Sequence, residues 1–178
     1  MINPYSETTI PAFKFVALFV IIYSSLAATV ATMPSVSHQF TVFVTKAAGL
    51  ILALLGFGGE VSSEAIAYGY AEIRFNSTTY RVHEECTGIY LILLVGSAIT
   101  AVPSRFHFKF VGLILGSVVA AVIGCLRIVV LGCVAEYHAS IFQLFHIYIM
   151  EVVTVGLGLW ILTIWFSFTS QRLGNVTS

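Results

Sequence analysis

The sequence predicts an all-α polytopic membrane protein of about five transmembrane helices, with a small extracytoplasmic β-hairpin before the third span. Three observations lead there. Charged residues are 9% of the 178-residue chain and hydrophobic ones 58%, against about 25% charge in soluble domains, and mean hydropathy is +0.99. The apolar residues gather into five runs that approach or exceed the reach of a bilayer core, about 20 helical residues. The joints between the runs carry charges sorted by sign. The same composition excludes a soluble enzyme and a disordered chain. A nucleic-acid binder is excluded too, because Lys+Arg 8 against Asp+Glu 8 leaves no basic excess. A single integral membrane domain over residues 1–178 follows.

The first run, 13–31, is too long for the core of a signal peptide, and a second, 40–57, follows at once. Pro34 punctuates the joint between them. The third run, 87–102, is short and ends at Pro103, and the fourth and fifth are 110–134 and 147–168. Short loops rich in Lys and Arg stay in the cytoplasm, which puts the Arg105 and Lys109 joint inside. The 58–85 segment holds Glu60, Glu64, Glu72, Glu84 and Glu85 against Arg74 and Arg81, and lies outside. So does the 136–145 joint, while the tail with Arg172 is inside. Counting back puts the N-terminus outside.

The outer segment has its own pattern. Ile73 and Phe75 alternate with Glu72 and Arg74, and Tyr80 and Val82 with Arg81 and His83. Asn76-Ser77-Thr78 between them reads as a turn and also fits a glycosylation sequon. An isolated hairpin is barely stable, so this one should rest on the outer helix ends.

Within so apolar a chain each ionisable residue near a span needs a reason. Arg127 stands roughly 27 Å up the fourth span from Lys109, at 1.5 Å per residue, near the outer boundary. Gly112, Gly116, Ala120 and Gly124 recur every four residues, a small-residue face that lets helices approach closely. Arg127 follows Gly124 by three and should point into the bundle. Cys86 opens the third span and His146 the fifth, both from outside, so the three share one depth. A thiol, an imidazole and a guanidinium can perform acyl transfer: base, nucleophile and oxyanion or thiolate stabiliser. Taken singly, Cys86 reads more readily as a packing residue and His146 as a headgroup contact. Arg127 reads equally as snorkelling to headgroups or pairing with Glu151.

Glu85, Thr87 and Gly88 beside Cys86, Tyr80 on the hairpin and Glu136 in the outer joint are candidates for contacting substrate. Glu136 and His138 read also as solvated loop residues. Cys125 and Cys133 lie roughly 12 Å apart along one helix and should pack. No cofactor or metal is expected, since His83 with Cys86 would be half a metal site without further ligands at suitable spacing.

Cys86-Thr87-Gly88, Arg127 in the run Gly124-Cys125-Leu126-Arg127-Ile128, and Phe145-His146 together resemble the exosortase/archaeosortase family of membrane-embedded cysteine transpeptidases. The likeness extends over about 61–155. That family often has an asparagine three residues before the arginine, where this chain has Gly124, and many members are longer at the N-terminus. The resemblance implies a Cys86-Arg127-His146 triad facing the extracytoplasmic side of the cell membrane. It implies substrates that are secreted proteins ending in a short motif, a transmembrane helix and a basic cluster. They would be cut through a thioester on Cys86 and passed to a membrane lipid acceptor. The hairpin before Cys86 would hold the extended motif by strand pairing. Two rivals remain: a small transporter or channel subunit using a buried Arg127–Glu151 pair, and a non-enzymatic assembly partner using the small-residue face.

Overall fold

In a bilayer every backbone polar group must be satisfied within the chain, and apolar runs of this length do so as helices. A computed structural model describes residues 12–74, 79–102 and 106–174. The Asn76-Ser77-Thr78 turn, Phe75, Pro103 and Arg105 lie outside the described residues. The chain is mostly helical. Helix α1 is Ala12–Thr32, and α2, Pro34–Leu54, follows across Met33. Pro34 opens α2 at its first turn, where a missing N–H is harmless. Four helices, Phe13–Thr32, Pro34–Leu54, Phe106–Tyr137 and Phe142–Ser167, are long and apolar enough to cross a membrane.

The 58–85 segment holds a three-stranded sheet, not a lone hairpin. Strand β1 is Glu60–Val61, the short α3 is Ser63–Ala67, and β2 and β3 are Ala71–Arg74 and Thr79–Val82. The order is β1-β2-β3, antiparallel throughout, with Glu60 opposite Arg74 and Ile73 opposite Tyr80. A two-residue strand carries no periodicity, so β1 was not legible. The sheet rests on the side of α2 from its middle onward, and not on a helix end: Ala71, Ile73, Tyr80 and Val82 share one buried cluster with Val44, Ala48 and Leu52.

The third expected span is the clearest departure. Glu84–Thr87 forms a tight 3-10 turn closed by Gly88 at φ 83°, and α4, Ile89–Ala101, has only 13 residues. That is roughly 20 Å of helix, short of a hydrocarbon core of about 30 Å. Helix α5, Phe106–Tyr137, is longer than expected at 32 residues. Its Lys109 Nζ donates to the Thr100 carbonyl at 2.9 Å, tying the start of α5 to the end of α4 opposite the sheet. Beyond α5 come a one-turn α6 (Phe142–Leu144), a π-turn (Phe145–Ile149) and α7 (Met150–Gly174).

The small-residue row of α5 is its packing face: Gly112, Gly116, Ala120 and Gly124 are all buried. A Cβ at Gly112 would meet the Trp165 ring, and one at Gly116 the Val95 side chain. Helix α1 runs against the counted-back direction. Phe15, near its start, packs edge-on with Phe166 near the end of α7, 6.3 Å between ring centres. Tyr23, two turns later, borders a cavity with Gly88 and Arg127 nearer the sheet. The start of α1 therefore shares its end of the bundle with the α7 tail. Aromatic packing along α1, where the loop charges give no direction, decides this.

Candidate active site

The Cys86 turn is held from both sides. The Cys86 amide donates to the His83 carbonyl at 3.0 Å, and the Thr87 hydroxyl to the Glu84 carbonyl at 2.6 Å. Behind it stands α5, so close that a Cβ on Gly124 would collide with the Thr87 carbonyl. A Cβ on Gly88 would likewise collide with the Ala120 carbonyl, and Gly88 has a left-handed φ that L side chains resist. Glycine at 124 is thus a steric requirement of the Cys86 turn. Gly124→Ala is expected to displace the turn and destabilise the protein by about 1–3 kcal/mol, the usual effect of overpacking. Thermal unfolding in detergent measures it; an unchanged midpoint would mean that the close approach is not needed.

Two side chains approach the buried Cys86 sulfur. Tyr80, the inward residue of β3, places its hydroxyl 3.6 Å from Sγ. His146, carried by the π-turn, places Nδ1 4.0 Å away. Phe142 of α6 stacks on the imidazole at 5.7 Å with planes 7° apart, and meets the Tyr80 ring edge-on at 5.5 Å. A π-turn widens the helix by one residue and so re-aims a side chain, here His146. Arg127, buried as expected, lies near enough for its charge to favour the Cys86 thiolate.

The arginine is oriented by α7. Its Nη2 donates to Glu151 Oε2 at 3.2 Å and its Nη1 to Thr154 Oγ1 at 3.4 Å. The Thr154 hydroxyl spends its own proton on the Met150 carbonyl at 2.7 Å, leaving a lone pair for the guanidinium. Arg127 Nε is buried with no hydrogen-bond partner among the described residues. That inner N–H of the fork is free to meet a substrate oxygen.

Beside these groups lies a cavity of about 620 Å³ between α1, α4, α5 and α7. Glu85, Arg127, His146 and Glu151 give it a polar end, and Tyr23, Leu91, Leu94 and Val155 give it apolar walls. Of the residues expected to contact substrate, Glu85 and Gly88 border this cavity and Tyr80 touches the sulfur. Thr87 and Glu136 do not border it. Thr87 is fully buried with its hydroxyl engaged, and Glu136 lies roughly 13 Å beyond Arg127 along α5. Phe142 and Thr154 escaped the sequence reading. Helical spacing could have found both: Phe142 is four before His146 and Thr154 three after Glu151.

Burial pushes the Cys86 thiol above its ordinary range, while the Tyr80 hydroxyl and the Arg127 charge pull it back. Burial likewise lifts the Tyr80 phenol well above its usual range, so it stays neutral and remains a donor. Cys125 and Cys133 are free thiols half-buried against the core. Among the described residues, no group of three His, Cys, Asp or Glu side chains is placed to hold a metal ion. No family model, curated protein or solved structure matches the chain.

Proposed function

We propose that the chain is a membrane-embedded cysteine protease and transpeptidase acting on the C-terminal sorting signal of secreted proteins. The observation that carries this is the 4.0 Å approach of His146 Nδ1 to the buried Cys86 Sγ, with His146 itself bordering a cavity with apolar walls. Such an approach, loose without substrate, tightens in a reacting complex.

His146 Nδ1 takes the thiol proton, and Cys86 Sγ attacks the carbonyl carbon of the scissile amide. The new S–C bond leaves an oxyanion that the Arg127 charge and its unused Nε–H stabilise. The C–N bond then breaks and His146 returns its proton to the leaving amine, giving a thioester on Cys86. A nucleophile from a lipid acceptor, or water, attacks the thioester and loses its proton to His146. The thiolate departs. An extended substrate segment pairs with β3, an edge strand that leads into the Cys86 turn.

The test is the intermediate. A sorting-signal substrate mixed with the membrane-reconstituted chain and quenched in acid should leave a covalent adduct that hydroxylamine releases. An adduct that forms equally on Cys86→Ala would defeat the proposal.

A second reading, a small transporter or channel subunit, draws support from the Arg127–Glu151 pair bordering the cavity. It requires that function survive loss of Cys86.

A further inference from the structure

We propose that Tyr80 is a catalytic residue of this site: its hydroxyl donates a hydrogen bond to the ionised Cys86 sulfur and holds it as a thiolate. This rests on the reading of Cys86 as the nucleophile.

Cys86 is 1% exposed, so water does not solvate a charge on its sulfur. A buried thiolate needs donors from the protein. The amide of Cys86 is already given to the His83 carbonyl, and the Thr87 hydroxyl to the Glu84 carbonyl. That leaves the groups facing the sulfur from the packed elements: Tyr80 on β3, His146 on the π-turn and Arg127 on α5. Glu85, in the same turn, opposes the negative charge.

The phenol is the nearest of the donors at 3.6 Å, and its hydroxyl bonds only to Cys86 among the described contacts. Packing does not call for that hydroxyl. The ring contacts with Phe142 and His146 use the aromatic edge and would be kept by phenylalanine. A polar atom held in a buried place where an apolar ring would fit has its reason in the sulfur. Burial also keeps the phenol protonated, which makes it a donor rather than a second anion. A hydrogen bond to the charged form lowers the pKa of the thiol. The thiol proton itself still goes to His146, and Tyr80 keeps its own.

The experiment uses the full chain in detergent with Cys125→Ala and Cys133→Ala, and follows alkylation of Cys86 by a small neutral methanethiosulfonate against pH. Tyr80→Phe should raise the midpoint by about one pH unit, a tenfold smaller thiolate fraction below it. Sorting-signal processing should slow about tenfold at neutral pH and recover as pH rises, which a merely structural lesion would not do. Replacing Tyr80 with 3-fluorotyrosine, a more acidic phenol and a stronger donor, should lower the midpoint. That variant decides the matter if Tyr80→Phe fails to accumulate. Midpoints for both variants that coincide with the parent would overturn the proposal. The alkylation profile needs no substrate, so it separates the two failures: normal processing by Cys86→Ala would end the protease reading, with the hydrogen bond judged independently.

Discussion

Cys86→Ala is expected to abolish processing of a co-expressed secreted protein that bears a sorting signal. The loss should be on the order of 10⁴-fold, because no acyl-enzyme can form without the sulfur. Cys125→Ala and Cys133→Ala should keep most activity, since those thiols only pack against the core, whereas it is the Cys86 sulfur that His146 and Tyr80 approach. His146→Ala should fall nearly as far as Cys86→Ala: members of one catalytic unit are not additive. The readout is the size shift of the substrate, with each variant inserted and accumulated at the parent level. Full processing by Cys86→Ala would leave the transporter or assembly readings standing.

The second large effect concerns Arg127. Arg127→Lys keeps the positive charge yet should lower processing by about 10²-fold, the scale on which one oxyanion donor acts. An ammonium cannot reach Glu151 and Thr154 at once while presenting a further N–H to the reacting carbonyl. Glu151→Gln separates the rival readings. Glu151 is 62% exposed on its side chain, so losing this pair should have a modest effect on stability. If the chain is a protease, Glu151→Gln reduces the rate far less than Arg127→Lys. Equal damage from the two, with indifference to Cys86, is the pattern of an ion path.

Much of the site was legible because helices translate spacing into depth. The rise from Lys109 gave Arg127 its level, and the four-residue row ending at Gly124 gave its direction; both follow from one rigid helix. The β2–β3 pairing came from strict alternation, which survives as Ala71, Ile73, Tyr80 and Val82 facing the core. Hydrophobic runs likewise located four helices fit to cross a membrane. The sequence alone therefore decided the apolar, helical class of the protein, the helix faces and which residues are candidates for chemistry.

What it could not decide depended on contacts between elements. Gly124 reads as a departure from a family pattern until the Thr87 carbonyl is seen lying against it. The Cys86 turn is a 3-10 turn, and not the first turn of α4, because Gly88 adopts a left-handed φ at that crossing. The direction of α1 was fixed by Phe15 against Phe166, an aromatic contact between chain segments far apart in sequence. The role of Tyr80 depends on a distance between β3 and the turn after it, across which the alternation pattern says only that the ring points inward. Local periodicity reports how one element repeats. Which neighbour meets each face is set by packing, and that is decided only when all the elements close on one another.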